Sequence, residues 1–375
     1  MPDIFGRNLK VAIFGESHGP AVGAVIDGFP AGIVVDEELL ERKLNQRRAR
    51  GRISTGRHEP DVPKILSGVY RGHTTGTAIG IVFPNSDVRS KDYDVLKAIA
   101  RPGHADWTNY VKSFGFNDHR GGGHSSGRLT APLVAAGAFA AMALANRGIK
   151  AGTHIAALAG IDDRAFATGT DAIDSDIDTL DQSLFPVLDS QAGERMQQAI
   201  ISAARDGDSV GGILETVVAH VPAGVGDPFF DSLESQLAHG LFAIPAVKGV
   251  AFGSGFGFAG MRGSEANDPF RMEAGRPVTV SNHNGGINGG ISNGMPIVFR
   301  TVIKPTPSIY HSQSTVNFVE GKDVQVRLKG RHDPAVIHRG RAVQDAVTAI
   351  VVLDALMTRD IQRSWAEHPS HPTLR

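Results

Sequence analysis

GESHGPAVGAVIDGFPAG (residues 15–32) and GDSVGGILETVVAHVPAG (residues 207–224) follow one pattern. Each opens on Gly, an acid and Ser, runs through an apolar strand-like stretch, and closes on Pro-Ala-Gly at the same spacing. A weaker echo links GGHSSG (122–127) with GGISNG (289–294). Gly-rich strand ends can resemble one another by chance, but the paired signals predict a duplicated α+β unit with pseudo-twofold symmetry. The pseudo-repeats fall at about 6–150 and 200–358, within a single domain spanning 1–363 and followed by a loose tail at 364–375. His18 of the first copy is Val210 in the second. A duplicated fold therefore does not demand a histidine there, and His18 becomes a candidate for chemistry.

The remaining composition sets limits. Hydrophobic residues make up 41% of the 375 and charged residues 21%, enough for a substantial core. The net charge is -1, so the overall field favours neither nucleic acid nor an anionic membrane. Any anionic ligand must be held by a local cluster of Arg or His. The absence of cysteine excludes disulfides, thiolate metal ligands and cysteine nucleophiles. The N-terminal MPDIFGRNLK has no apolar signal core, and the reading is a cytoplasmic protein. The most apolar stretch, 129–145, is rich in alanine and contains Pro132, which predicts a buried helix rather than a membrane span.

Helices are expected from Asp36, as N-cap, to Gly51, and over 128–147, 191–206, 229–241 and 340–358. The last carries an apolar stripe at Val343, Val347, Ile350, Leu353 and Met357. Strands are expected at 10–14, 22–28, 64–70, 77–83, 213–221, 296–304 and 323–328.

Two arginine clusters stand out. QRRARGRISTGR contains Arg47, Arg48, Arg50, Arg52 and Arg57, and GRHDPAVIHRGR contains Arg331, Arg339 and Arg341. Guanidinium groups clamp phosphate and carboxylate through paired hydrogen bonds. A basic helix end is often only a solvated face, but the first cluster runs on into a Gly/Ser/Thr loop. Four histidines, His18, His104, His124 and His332, sit in Gly- or Pro-rich loops. Near a phosphate, an imidazole can stay protonated and give its proton to a leaving oxygen. GGGHSSGR precedes an Ala-rich helix, where backbone N–H groups with Ser125 and Ser126 can hold an anion. It lacks the lysine of a nucleotide-triphosphate loop. No His pair has the HExxH spacing and no acidic triad appears, so a dedicated metal site is not expected.

FGESHG, RPGHAD, HRGGGHSSGR, GDSVGG, VPAGVGDPFFDSLE, AVKGVAFGSGF, SNHNGGINGGISNGMPI, IKPTPSI and GRHDP occur here in an order that resembles the chorismate synthase family. Each motif is weak alone; the ordered set, spanning roughly residues 6 to 360, is specific. The resemblance implies an α+β sandwich, with helices packed between antiparallel sheets, in a homotetramer. It implies a carbon-oxygen lyase of the shikimate pathway and aromatic amino acid biosynthesis. The reaction would be anti-1,4-elimination of phosphate from 5-enolpyruvylshikimate 3-phosphate to give chorismate, with reduced FMN required although the net reaction is redox neutral. NADPH serves as flavin reductant in some members and not in others.

By the same resemblance, His18 would protonate the leaving phosphate. His104 would manage proton movement beside the flavin, and Asp333 would keep flavin N5 basic. The implied flavin contacts are His124, Ser125, Ser126, Pro245, Ala246, Gly289, the run Lys304, Pro305, Thr306, Pro307 and Ser308, and Arg331. Arg47, Arg52, Arg101, Arg128 and the Arg339/Arg341 region would surround substrate or NADP.

The chain departs from the family pattern at three places. Many members have RSSARE where HSSGRL stands here, so His124 replaces an Arg and Leu129 a Glu. SNHNGG replaces SNHAGG. The link AVIHRGRAVQ is about two residues longer, which leaves open whether Arg339 or Arg341 faces the ligand. Two other readings remain at this stage. A flavin reductase or other FMN-dependent oxidoreductase would use the same loops. A Gly/Arg-rich RNA-binding protein is disfavoured by the near-zero net charge and the lack of a stacking motif.

Overall fold

The structure, a computed structural model, describes residues 3–49, 51–54, 60–86, 96–328 and 332–366. The expected α+β sandwich is present, with helices packed between antiparallel sheets. The first sheet holds β1 (Ile4–Phe5), β2 (Lys10–Gly15), β3 (Ala21–Asp27), β4 (Lys64–Ile65) and β5 (Ile79–Pro84), in the order β1-β2-β3-β5-β4. The second holds β6 (Lys150–Leu158), β7 (Ile161–Asp162), β8 (Gly212–Ala219), β9 (Val247–Phe252) and β10 (Ile297–Ile303), in the order β9-β10-β8-β6-β7. The opening sequence echo falls on β3 and β8, and each is the middle strand of its sheet. The weaker echo does not correspond in this way. GGHSSG leads into a helix, whereas GGISNG belongs to a small hairpin, Ile287–Asn288 with Ile291–Ser292.

The helices are α1 (Glu37–Arg47), α2 (Asp106–Lys112), α3 (Thr130–Ala145), α4 (Thr170–Gln182), α5 (Ser190–Arg205), α6 (Leu233–Phe242), the single turn α7 (Gly263–Ala266) and α8 (Ile337–Ala366). Asp36 caps α1 as expected, its carboxylate accepting from the Leu39 N–H at 2.9 Å. Helix α3 packs on β2, β3 and β5, and α8 on β6 and β8; the two helices pack on each other between the sheets. α3, and α8 as far as Leu356, are buried almost all round, as expected for helices in the middle layer, while the last turns of α8 are exposed. The two helices cross at Gly137, where an added Cβ would stand 2.2 Å from the Ala346 Cβ. The segment Gly127–Ala145 is long and apolar enough to cross a membrane, but 83% of its most apolar window is buried inside the protein.

Helix α8 extends beyond both expected ends, starting at Ile337 and continuing to Ala366 into the stretch read as a loose tail. Residues 367–375 lie outside the described residues. The carboxylate of Asp354 on α8 accepts the backbone N–H groups of Arg7, Asn8 and Leu9, which anchors the first sheet to this helix.

Several elements were not legible in the sequence, among them α2, β9, β6 and α4. β6 is built from the small-residue run KAGTHIAAL because it is sandwiched, with α4 on one face and α8 on the other. A Cβ at Gly152 would lie 3.1 Å from Ile177 of α4. Helix α4 buries only Ile173, Asp176, Ile177 and Leu180, and most of its turns are acidic or polar.

Candidate active site

One end of the helix pair opens into a cavity of about 540 Å³. The first turns of α3 and α8 both line it, through Thr130 and through Arg339, Gly340 and Val343. Two positive helix ends therefore face the same space. The end of α1 contributes Arg47 and Arg48, and the turn leading into α2 contributes Arg101, Gly103 and His104. The chain after β10 contributes Lys304, Thr306, Pro307 and Ser308. Ile244, Pro245, Ala246, Ile303 and Val336 form an apolar strip beside these charges.

The GGGHSS turn gets its shape from Gly121, Gly122 and Gly123, whose φ values are 60°, 83° and 55°. Glycine takes this left-handed conformation without cost. At Gly121 there is a second reason: a Cβ would lie 2.7 Å from His18 Nε2 and 2.8 Å from the Ser17 hydroxyl. His18 is buried behind Gly121, which lines the cavity. Ser126 caps the short turn Gly127–Leu129 that leads into α3, its hydroxyl accepting from the Arg128 N–H at 3.3 Å.

Each of four cavity arginines has a carboxylate partner within the lining. Arg101 makes a two-pronged pair with Asp106, Nε–Oδ2 at 2.8 Å and Nη2–Oδ1 at 2.7 Å. Arg339 Nη1 is 2.8 Å from Asp333 Oδ2, while its Nε donates to the Arg47 carbonyl at 2.8 Å. Arg47 and Arg128 share Asp61. Burial, only partly offset by Asp61, pulls the Arg47 guanidinium down to about 10, still charged at neutral pH. Lys304 donates to the Gly103 carbonyl at 2.7 Å.

His104 is held at both ring nitrogens. Nδ1 donates to the Pro102 carbonyl at 3.0 Å, and Nε2 is 2.7 Å from the Ser308 hydroxyl. Burial and the nearby Arg101 cation push the imidazole down to about 4, so it is neutral at physiological pH. The hydroxyl of Thr306 is buried with no hydrogen-bond partner among the described residues. An unpaired buried hydroxyl is costly and points to a ligand group that would complete it. The apolar strip, this hydroxyl, Ser126 and the helix N-termini together fit the planar ring and phosphate of a flavin mononucleotide. The cavity volume falls in the ~300–1,000 Å³ range usual for small-molecule sites.

The family model described as chorismate synthase matches residues 9–357. The chain belongs to the chorismate synthase family. It is 46% identical over 356 residues to the chorismate synthase of Pyrococcus abyssi, covering 95% of this chain and 98% of that protein. It is 44% identical over 360 residues to the chorismate synthase of Thermococcus kodakarensis, covering 96% and 98%. A solved crystal structure of chorismate synthase is similar with a TM-score of 0.74 at 27% identity, covering 95% of this chain and 93% of that one.

Of the positions carried over from the chorismate synthase motifs, Arg47, Arg101, His104, Ser125, Ser126, Arg128, Pro245, Ala246, Lys304, Thr306, Pro307, Ser308, Asp333 and Arg339 line the one cavity. Pro305 lies between two of them. His18 stands behind its wall. Three others are elsewhere. The His124 ring turns outward, with Nδ1 donating to the Gly15 carbonyl at 2.8 Å and Nε2 3.3 Å from Asp3 Oδ1. Gly289 is exposed in the hairpin turn and does not line this cavity. Arg341 is buried in the helical layer, its Nη2 donating to the Leu180 and Ser183 carbonyls at the end of α4 and its Nη1 near Asp345. Arg339 is thus the one that faces the cavity. Arg331 and the Arg52 side chain lie outside the described residues.

Sequence reasoning missed Asp61, Asp106 and Asn109, all in the lining. Asp106 stood in the quoted RPGHAD motif as an unassigned acid. Asp61 had no signal beyond being one of two acids, with Glu59, after the arginine run.

Proposed function

We propose that this chain catalyses the anti-1,4-elimination of phosphate from 5-enolpyruvylshikimate 3-phosphate, giving chorismate, with reduced FMN bound in the same cavity. The observation that carries the reading is the convergence of Arg47, Arg48, Arg101, Arg128, Arg339 and Lys304 with an apolar strip in one cavity. A substrate with a phosphate and two carboxylates needs several cations at once, and a flavin ring needs an apolar wall.

The chain's own groups divide the work. Arg48, Arg339, Lys304 and the two helix N-termini receive the anionic groups and fix their orientation. His18, behind Gly121, gives a proton to the departing phosphate oxygen. His104 is neutral, so its Nε2 lone pair, shared with the Ser308 hydroxyl, is available to accept a proton. Asp333, oriented by Arg339, holds negative charge at the cavity wall. Reduced FMN, when bound, supplies the transient electron density on which the elimination draws. One C–H and one C–O bond break, a second ring double bond forms, and no net oxidation results. The family resemblance supports a homotetramer in the cytoplasm, with NADPH as a flavin reductant if the chain reduces its own cofactor.

The test is anaerobic. Protein, reduced FMN and 5-enolpyruvylshikimate 3-phosphate are mixed, and phosphate release is followed with the diene absorbance. The reading expects both in equal amounts. Absence of phosphate release by folded, flavin-loaded protein would refute it.

A further inference from the structure

Arg101 and Arg339 each have a carboxylate of their own in the cavity wall, but Arg47 and Arg128 share one. Asp61 is only 2% exposed, and its two oxygens are divided between the two cations. Oδ2 takes Arg47 Nη1 at 2.5 Å, and Oδ1 takes Arg128 Nη1. The other donors of both forks go to neutral acceptors. Arg47 Nε donates to the Thr130 hydroxyl at 2.8 Å, and Arg128 Nε to Asn85 Oδ1 at 2.9 Å. Asp61 itself has φ 47°, a left-handed conformation uncommon outside glycine and held only where surroundings enforce it. Two buried guanidinium groups meeting at one carboxylate would repel each other without it and would carry their full charge toward any anion in the cavity.

We propose that Asp61 is a positioning residue for phosphate capture: it fixes both guanidinium groups at the start of α3 and cancels one of their two charges. With their donors spent inside the wall, the one charge left on the pair adds to the pull of Arg48, Arg339 and Lys304 on a phosphate dianion, strongly enough to orient it and weakly enough to let it go. This rests on the reading that the cavity binds a phosphorylated substrate. Asp61→Asn keeps the size of the side chain and removes its charge. The pair would then attract phosphate more strongly and release it more slowly.

The experiment is calorimetric titration of the full chain with inorganic phosphate at fixed ionic strength, alongside steady-state kinetics. Folded Asp61→Asn is expected to bind phosphate about 10-fold more tightly, as one uncancelled charge at partial screening implies. Its kcat and its KM should fall together, because release becomes limiting. Phosphate affinity equal to or weaker than that of the wild type would overturn the proposal. The double variant Asp61→Asn with Arg128→Gln restores the charge balance and should return phosphate affinity to within about 3-fold of wild type. A folded double variant that keeps the tighter binding would overturn it as well. Failure of both variants to fold would make Asp61 a structural brace and end the proposal. The phosphate isotherm needs no turnover, so a wild-type protein that binds phosphate but forms no product counts against the reaction alone.

Discussion

His104 and Ser308 are joined in the cavity wall by a 2.7 Å hydrogen bond between imidazole Nε2 and the serine hydroxyl. The Pro102 carbonyl can only accept, so Nδ1 of the same ring carries the hydrogen and Nε2 is the acceptor. Burial and the Arg101 cation hold this ring neutral, and the Ser308 hydroxyl fixes its orientation. Ser308→Ala is expected to lower kcat about 10-fold by releasing the ring, with the acidic limb of the pH–rate profile left in place. An unchanged kcat would mean that the bond does not orient His104.

Asp333→Asn removes a charge at the cavity wall and weakens the hold on Arg339, whose Nη1 lies 2.8 Å away. Turnover should drop by about 10-fold or more while bound flavin is retained, measured by rate against flavin fluorescence quenching. Normal turnover would show that Asp333 has no part in the reaction.

Acid stability should depend on two histidines. Burial holds His104 and His338 each at about 4, with Arg101 and Arg339 respectively adding to the effect. In the unfolded chain both return to about 6.5. Between these values the unfolded state binds more protons. The stability these rings confer is therefore full above the unfolded value and is lost as pH falls through the folded one. His338→Gln should flatten the decline in melting temperature between pH 6.5 and 4; an unaltered slope would contradict this assignment.

His154 should act in the opposite sense. Burial opposes its charge, but hydrogen bonds to Asp163 at 2.7 Å and Glu215 at 3.3 Å outweigh that and raise its pKa. Its contribution is present at low pH and lost as pH rises through the folded value. His154→Gln should therefore lose the stability gained below neutrality, seen by the same melting series.

The crossing of α3 and α8 has no room for a side chain at Gly137. Gly137→Val should destabilise the fold by about 2 kcal/mol or more in urea unfolding, because backbone rather than a flexible side-chain tip blocks the added atoms. A neutral effect would mean that the helices separate freely.

The fold was legible where the sequence pattern had one cause. β3, β8 and β10 were found because apolar runs end at glycine-rich turns, and α1 because Asp36 caps it. β6 escaped because strands packed on both faces need small residues, which erases the alternation that marks a strand. The arginines and loop histidines were legible as anion chemistry from residue type alone. The sequence could not show that Arg339 faces the cavity while Arg341, two residues later on the same helix, faces the end of α4. Helical rotation separates neighbours that composition treats alike. Nor could it show that an aspartate at 61 reaches Arg47 and Arg128, since ion pairs between distant segments leave no local pattern.

The central claim is that the cavity runs a redox-neutral elimination rather than a steady oxidoreduction. The most direct measurement is the ratio of phosphate released to reductant consumed, taken anaerobically with a fixed amount of reduced FMN and excess 5-enolpyruvylshikimate 3-phosphate. Many phosphates per flavin, with the flavin still reduced at the end, is the result expected. One reductant equivalent spent per phosphate, or flavin oxidation without phosphate release, would contradict it.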